Sequence, residues 1–114
     1  MPTSSKEMHK LATKLAAEAA KVNGVQKATV VLSKTMAYVG IDLKANIEAS
    51  KTKSIKKEVA AKVKNADKRL TKVYVSADAD VVTRIKKIAK GIEQGKPISS
   101  FTREIAEIGR RIAP

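Results

Sequence analysis

Apolar residues in this chain return in two rhythms. From Ser5 to Asn23, apolar Met8, Leu11, Ala12, Leu15, Ala19 and Val22 recur at helical spacing, with Lys10, Lys14 and Lys21 off the stripe. That pattern predicts an amphipathic helix over 5–23, stopped by Asn23 and Gly24. Over 25–43 the period drops to two, as Ala28, Val30 and Leu32, then Ala37, Val39, Ile41 and Leu43, alternate with more polar neighbours. This predicts a β-hairpin turning at Ser33, Lys34 and Thr35. Residues 44–53 keep no period and read as a loop.

A second helix is predicted over 54–67, with Ile55, Val59, Val63 and Ala66 on one quarter of its wheel, and a short strand over 70–76 with Val73 and Val75 toward the core. Tyr38, Asp42, Lys72 and Tyr74 fall on a sheet face expected to be solvated. Asp78 is suited to cap a helix over 78–94, which buries Val81, Val82, Ile85, Ile88, Ala89 and Ile92 and ends at Gly95 and Pro97. Ser99 or Ser100 then caps a last helix over 100–112, whose Phe101, Ile105, Ile108 and Ile112 share a narrow face and should dock on the rest of the chain.

The order is α-β-β-α-β-α-α, an α+β class. The expected architecture is a single domain over 1–114, with a small three-stranded mixed sheet of strand order 2-1-3 and helices packed mainly on one face. A length of 114 residues with 43% apolar content supports one modest core.

Lys and Arg number 24 against 11 Asp and Glu, a net charge of +13. Anionic lipid, an acidic wall polymer and nucleic acid are therefore the candidate counter-surfaces. Cysteine is absent, which excludes disulfides and thiolate chemistry. No apolar run reaches the ~20 residues of a membrane span, and the N-terminal residues lack the apolar core of a signal peptide, so the chain reads as soluble.

Candidate chemistry is sparse. His9 is the single histidine and stands apart from any cluster, so it reads as a surface residue. Asp78 and Asp80 open a helix and read as a cap and a dipole partner rather than metal ligands. No nucleophile adjoins a base, and there is no phosphate loop. The expectation is a protein that is not an enzyme and needs no cofactor. Lysines opposite the apolar stripes form the candidate basic surface: Lys57, Lys64, Lys68, Lys87 and Lys90. Only Phe101, Tyr38 and Tyr74 are aromatic, which weakens the case for single-stranded nucleic acid.

Four segments together resemble a known family, the YhcN/YlaJ sporulation lipoproteins. The matching positions are Gly24, Val25, Ala28, Val30 and Val31 in the first strand, then Ala37, Tyr38, Val39 and Gly40 in the second. They continue with Val73, Tyr74, Val75, Ser76 and Asp78 leading to Arg84 and Ile85, and with Gly95, Lys96, Pro97, Arg111, Ile112 and Pro114 at the end. Two departures stand out: there is no lipobox Cys, and Ala79 replaces the usual Pro. The resemblance implies a sporulation protein with no accepted enzymatic activity, membrane-associated at an extracytoplasmic face of the spore envelope. It also implies an interaction or assembly role, with a contribution to germination and a protein partner in that envelope. A basic nucleic-acid-binding domain is the alternative.

Overall fold

The computed structural model describes residues 4–112. Helix α1 (Ser5–Ala19) starts at Ser4, whose hydroxyl accepts a hydrogen bond from the Glu7 N–H at 3.2 Å. Strands β1 (Val25–Ser33) and β2 (Met36–Leu43) form an antiparallel hairpin, and helix α2 (Thr52–Ala66) crosses over to β3 (Lys72–Ser76), which pairs with β2 in parallel. Helix α3 (Ala79–Glu93) and helix α4 (Thr102–Ile112) complete the chain. The α+β class, the element order and the mixed three-stranded sheet agree with the sequence pattern.

The strand order does not. It is β1-β2-β3, with β2 central, where 2-1-3 was expected. The reason is visible in β2, where Ala37 to Ile41 are all buried, the signature of a strand paired on both edges and covered on both faces. Joining neighbouring parallel strands requires a crossover, and α2 supplies it.

The helices also divide between the two faces instead of gathering on one. Val30, Leu32, Ala37, Val39 and Ile41 face α1 and α2, packing with Leu15, Ala19, Ile55, Val59 and Val63. Val31 and Tyr38 face the other way, into α3 and α4, with Ile85, Ile88, Ile105 and Ile108. The face expected to be solvated is thus largely covered: Tyr38 is 5% exposed, and Asp42 pairs with Lys86 of α3 at 2.8 Å. Apolar side chains stand on both sides of the hairpin, so one helical layer could not have buried them.

Helix ends show where side-chain signals mislead. Helix α1 stops at Ala19, before Asn23. A 3-10 turn, Ala49–Lys51, leads into α2 two residues before the expected start and without a side-chain cap. A second such turn, Ile98–Phe101, feeds α4 directly, so neither Ser99 nor Ser100 acts as the cap; Thr102 Oγ1 instead donates to the Ser99 carbonyl at 3.0 Å. Ala66, expected in the buried stripe of α2, is exposed at its last turn. Asp78 caps α3 as expected, accepting from the Val81 N–H at 3.2 Å.

The connection from α2 to β3 is tied by Asp67, whose side chain is 7% exposed. It accepts from the Arg69 backbone N–H at 3.0 Å and from its guanidinium at 2.9 and 2.6 Å. Hydrogen bonds from Arg69 hold its carboxyl below the ordinary value. A depressed carboxylate contributes stability above its unfolded pKa of ~3.9 and loses it as pH falls further, because the folded state then resists taking up a proton. Asp67→Asn should lower stability at neutral pH by up to ~1 kcal/mol. It should also flatten the stability profile below about pH 4, measured by denaturant titration across pH.

The hairpin turns through two residues, Lys34 and Thr35, and Lys34 takes φ 56°. A side chain there costs ~1–2 kcal/mol, partly offset by the extra freedom glycine would have when unfolded. Lys34→Gly should therefore raise stability by about 0.5–1 kcal/mol in thermal or denaturant unfolding.

Candidate functional site

Seven of the positions that carry the family resemblance are candidate site residues: Tyr38, Gly40, Tyr74, Asp78, Arg84, Pro97 and Arg111. The structure brings most of them together where α3 and α4 cover the sheet. Tyr38 and Tyr74 are neighbours across β2 and β3, with rings stacked at 5.1 Å and 15° between planes. Burial, with a smaller effect from Tyr74, pushes the Tyr38 phenol above its ordinary pKa. Helix α4 lies over this pair, since a Cβ placed at Gly109 would sit 3.6 Å from Tyr38 Cε1.

Gly40 is a contact point for α3. A Cβ there would meet Val82 Cα and Cγ1 at 3.3 Å, so the absence of a side chain lets the helix backbone approach the sheet. Gly91 plays the corresponding part within the helical layer: its added Cβ would lie 2.5 Å from the Phe101 ring, which occupies that space. All three aromatic residues of the chain therefore belong to this half of the core.

An ion-pair network fastens α4 to α3. Arg111 reaches Asp80 at 2.8 Å and Glu107 at 3.2 Å, while Arg84 reaches Asp80 at 3.2 Å and Glu107 at 3.5 Å. Arg84 and Arg111, 27 positions apart in the chain, thus share two carboxylates. Asp78 sits beside this network as the cap, and Pro97 precedes the turn into α4. These side chains organise packing; among the described residues no three His, Cys, Asp or Glu gather as metal ligands do. Glu107 and Arg111 pair within one helix at a four-residue spacing, whereas the Asp80 bridge to Arg111 spans two helices.

The five lysines proposed as one basic side are divided. Lys57 and Lys64 project from α2 and Lys68 follows it, while Lys87 and Lys90 belong to α3 on the opposite sheet face. Lys64 Nζ also donates to the Leu70 carbonyl, tying down the end of α2. His9 is half-buried on α1, away from any acidic cluster among the described residues.

Residues 2–113 match the family described as sporulation lipoprotein YhcN/YlaJ. The chain belongs to the YhcN/YlaJ family. Two relatives come from Bacillus subtilis (strain 168). This chain is 32% identical over 90 residues to the probable spore germination lipoprotein YhcN, a match covering 79% of this chain and 48% of the relative. It is 35% identical over 104 residues to the probable spore germination lipoprotein YlaJ, covering 91% of this chain and 49% of the relative. The chain thus spans about half the length of these curated relatives. Membership supports a spore-related role.

Among solved structures, the MamM CTD in its copper form superposes with a TM-score of 0.55 at 19% identity, covering 64% of this chain and 86% of that one. Another MamM CTD chain gives 0.54 at 21% identity, covering 63% and 98%. At such identities the likeness speaks for the fold alone. Within this YhcN/YlaJ-family chain, the motif positions divide between the two halves of the core, with Tyr38, Tyr74, Arg84 and Arg111 at the α3–α4 packing and Val25, Val30, Ala37 and Val39 on the α1–α2 side; Pro114, which closes the motif, lies outside the described residues.

Apolar burial, rather than charge, should dominate α4 docking. The four network residues have side chains 39–57% exposed, so each ion pair contributes at most ~1 kcal/mol. Ile108 is 1% exposed. Ile108→Ala should cost ~2–5 kcal/mol in denaturant unfolding, against less than ~1 kcal/mol for Arg111→Gln.

Proposed function

We propose that this domain works without catalysis at the membrane surface of the spore envelope, where the charged side of α2 meets anionic lipid and other surfaces remain for a protein partner. The carrying observation is an imbalance of charge between layers. Helix α2 holds five lysines and one glutamate, and none of its lysines forms an ion pair among the described residues. By contrast, Arg84, Lys86 and Arg111 in the α3–α4 layer are engaged by Asp80, Asp42 and Glu107.

Lys53 and Lys57 are exposed one turn apart on α2, and exposed Lys68 follows just beyond the end of that helix. Each lysine near an anionic surface contributes ~1 kcal/mol. No helix among the described residues is long and apolar enough to cross a membrane. Attachment through such a patch would be reversible and would reinforce a lipid anchor of the kind implied by the relatives' description as lipoproteins. Contribution to assembly or germination through a protein partner is part of the same reading, supported by the names of those relatives. An acidic wall polymer would be attracted by the same charges.

The unpaired lysines would also attract nucleic-acid phosphates. Against that alternative, Tyr38 is buried, Tyr74 is stacked on it, and Phe101 packs on Gly91, leaving no aromatic platform for bases.

Sedimentation with phosphatidylglycerol-containing vesicles tests the reading. Lys53→Glu, Lys57→Glu and Lys68→Glu together should reduce binding by on the order of 100-fold, while Lys87→Glu with Lys90→Glu should change it far less. Equal losses in both variants, binding insensitive to salt, or tighter retention on duplex DNA than on vesicles would overturn it.

A further inference from the structure

The edge of β1 presents a feature unrelated to the basic surface. Between α1 and α3 the strand borders a cavity of about 320 Å³, lined by apolar Met8, Ala12, Leu32, Ala89, Ile92 and Ile98. Its polar lining residues are Ser5, His9, Lys34 and Thr35, with no carboxylate among them. Ala12 and Ala89 also line a second cavity farther along the strand, so the two spaces adjoin.

The hairpin register makes this wall distinctive. A two-residue loop makes Ser33 and Met36 a hydrogen-bonded pair, so alternation directs the backbone groups of Val31 toward β2 and those of Val30 and Leu32 outward. Among the described residues, neither Val30 nor Leu32 makes a backbone hydrogen bond to a loop or helix, although they are only 5% and 3% exposed. Both line the cavity. Shielded backbone N–H and C=O groups require partners, and the described residues supply none.

We infer that this cavity binds a short apolar peptide with a free carboxylate, laid against β1 as an added strand. Its peptide groups would pair with Val30 and Leu32, small apolar side chains would fill the space between α1 and α3, and its carboxylate would lie toward Lys34. That polarity makes the peptide parallel to β1. A volume of about 320 Å³ is roughly that of ten water molecules at ~30 Å³ each, room for two or three small residues. A free di- or tripeptide fits that space whole, and it is the occupant we assign. The inference goes beyond the membrane-surface reading and stands independently of it, because α2 takes no part in the site.

Amide NMR on the isotope-labelled whole chain, titrated with the free tripeptide Val-Ala-Val, tests this. Saturable shifts should centre on the Val30 and Leu32 amides, and Lys34→Glu should weaken binding about tenfold or more. The C-terminally amidated tripeptide should show the same loss against the unaltered chain. Ala89→Leu, which fills the cavity, should abolish binding with little change in melting; should that variant unfold, the exposed Lys34→Glu decides. Absence of saturable shifts, equal binding of acid and amide forms, or insensitivity to Lys34→Glu overturns the inference. Equally tight binding of a longer peptide with the same three final residues overturns the free peptide as occupant.

Discussion

Burial of β2 on every side is the constraint from which the rest of the architecture follows. Ala37 to Ile41 leave no solvated face, so both edges must be paired and both faces covered. Strand β1 closes one edge by a tight turn, and β3 closes the other in parallel, which obliges the chain to cross over through α2. The opposite face then needs its own cover, and the missing side chain at Gly40 lets α3 come close to it. A polar residue at Val39, or a bulky one at Gly40, would strike at several elements together.

Local periodicity was enough to reveal every helix and strand, because each buries a stripe or face whose spacing repeats within a few residues. Strand order depends on pairing between segments distant in the chain, and the alternation seen in β1 obscured the unbroken apolar run of β2. Helix ends were misjudged for a different reason. Residues such as Asn23, Ser99 and Ser100 have side chains suited to stopping or capping a helix, but backbone 3-10 turns can lead into a helix without them. The pair Glu107 and Arg111 was legible from a four-residue spacing; the joining of Arg84, Asp80 and Arg111 required knowing that two helices lie side by side.

Charge and packing are apportioned differently in the two layers. The α3–α4 layer engages several of its cations internally, and the family-motif side chains there serve as parts of a fastener. Among the described residues, the lysines of α2 have no carboxylate partners. A domain of this kind can keep an ordered interior half while offering an electrostatic exterior half, in keeping with a spore-related family in which no catalytic constellation is needed for the proposed role.

The placement of the aromatic residues makes the molecule optically one-sided. With no tryptophan in the chain, and Tyr38, Tyr74 and Phe101 all gathered in the α3–α4 half, its near-ultraviolet absorbance and dichroism arise from one layer. Those signals follow the seating of α4 on the tyrosine stack and are nearly blind to α1 and α2. A partially opened form that had lost only the outer helix could look fully unfolded in that spectral window, while its far-ultraviolet spectrum still showed most of the helices and the sheet in place.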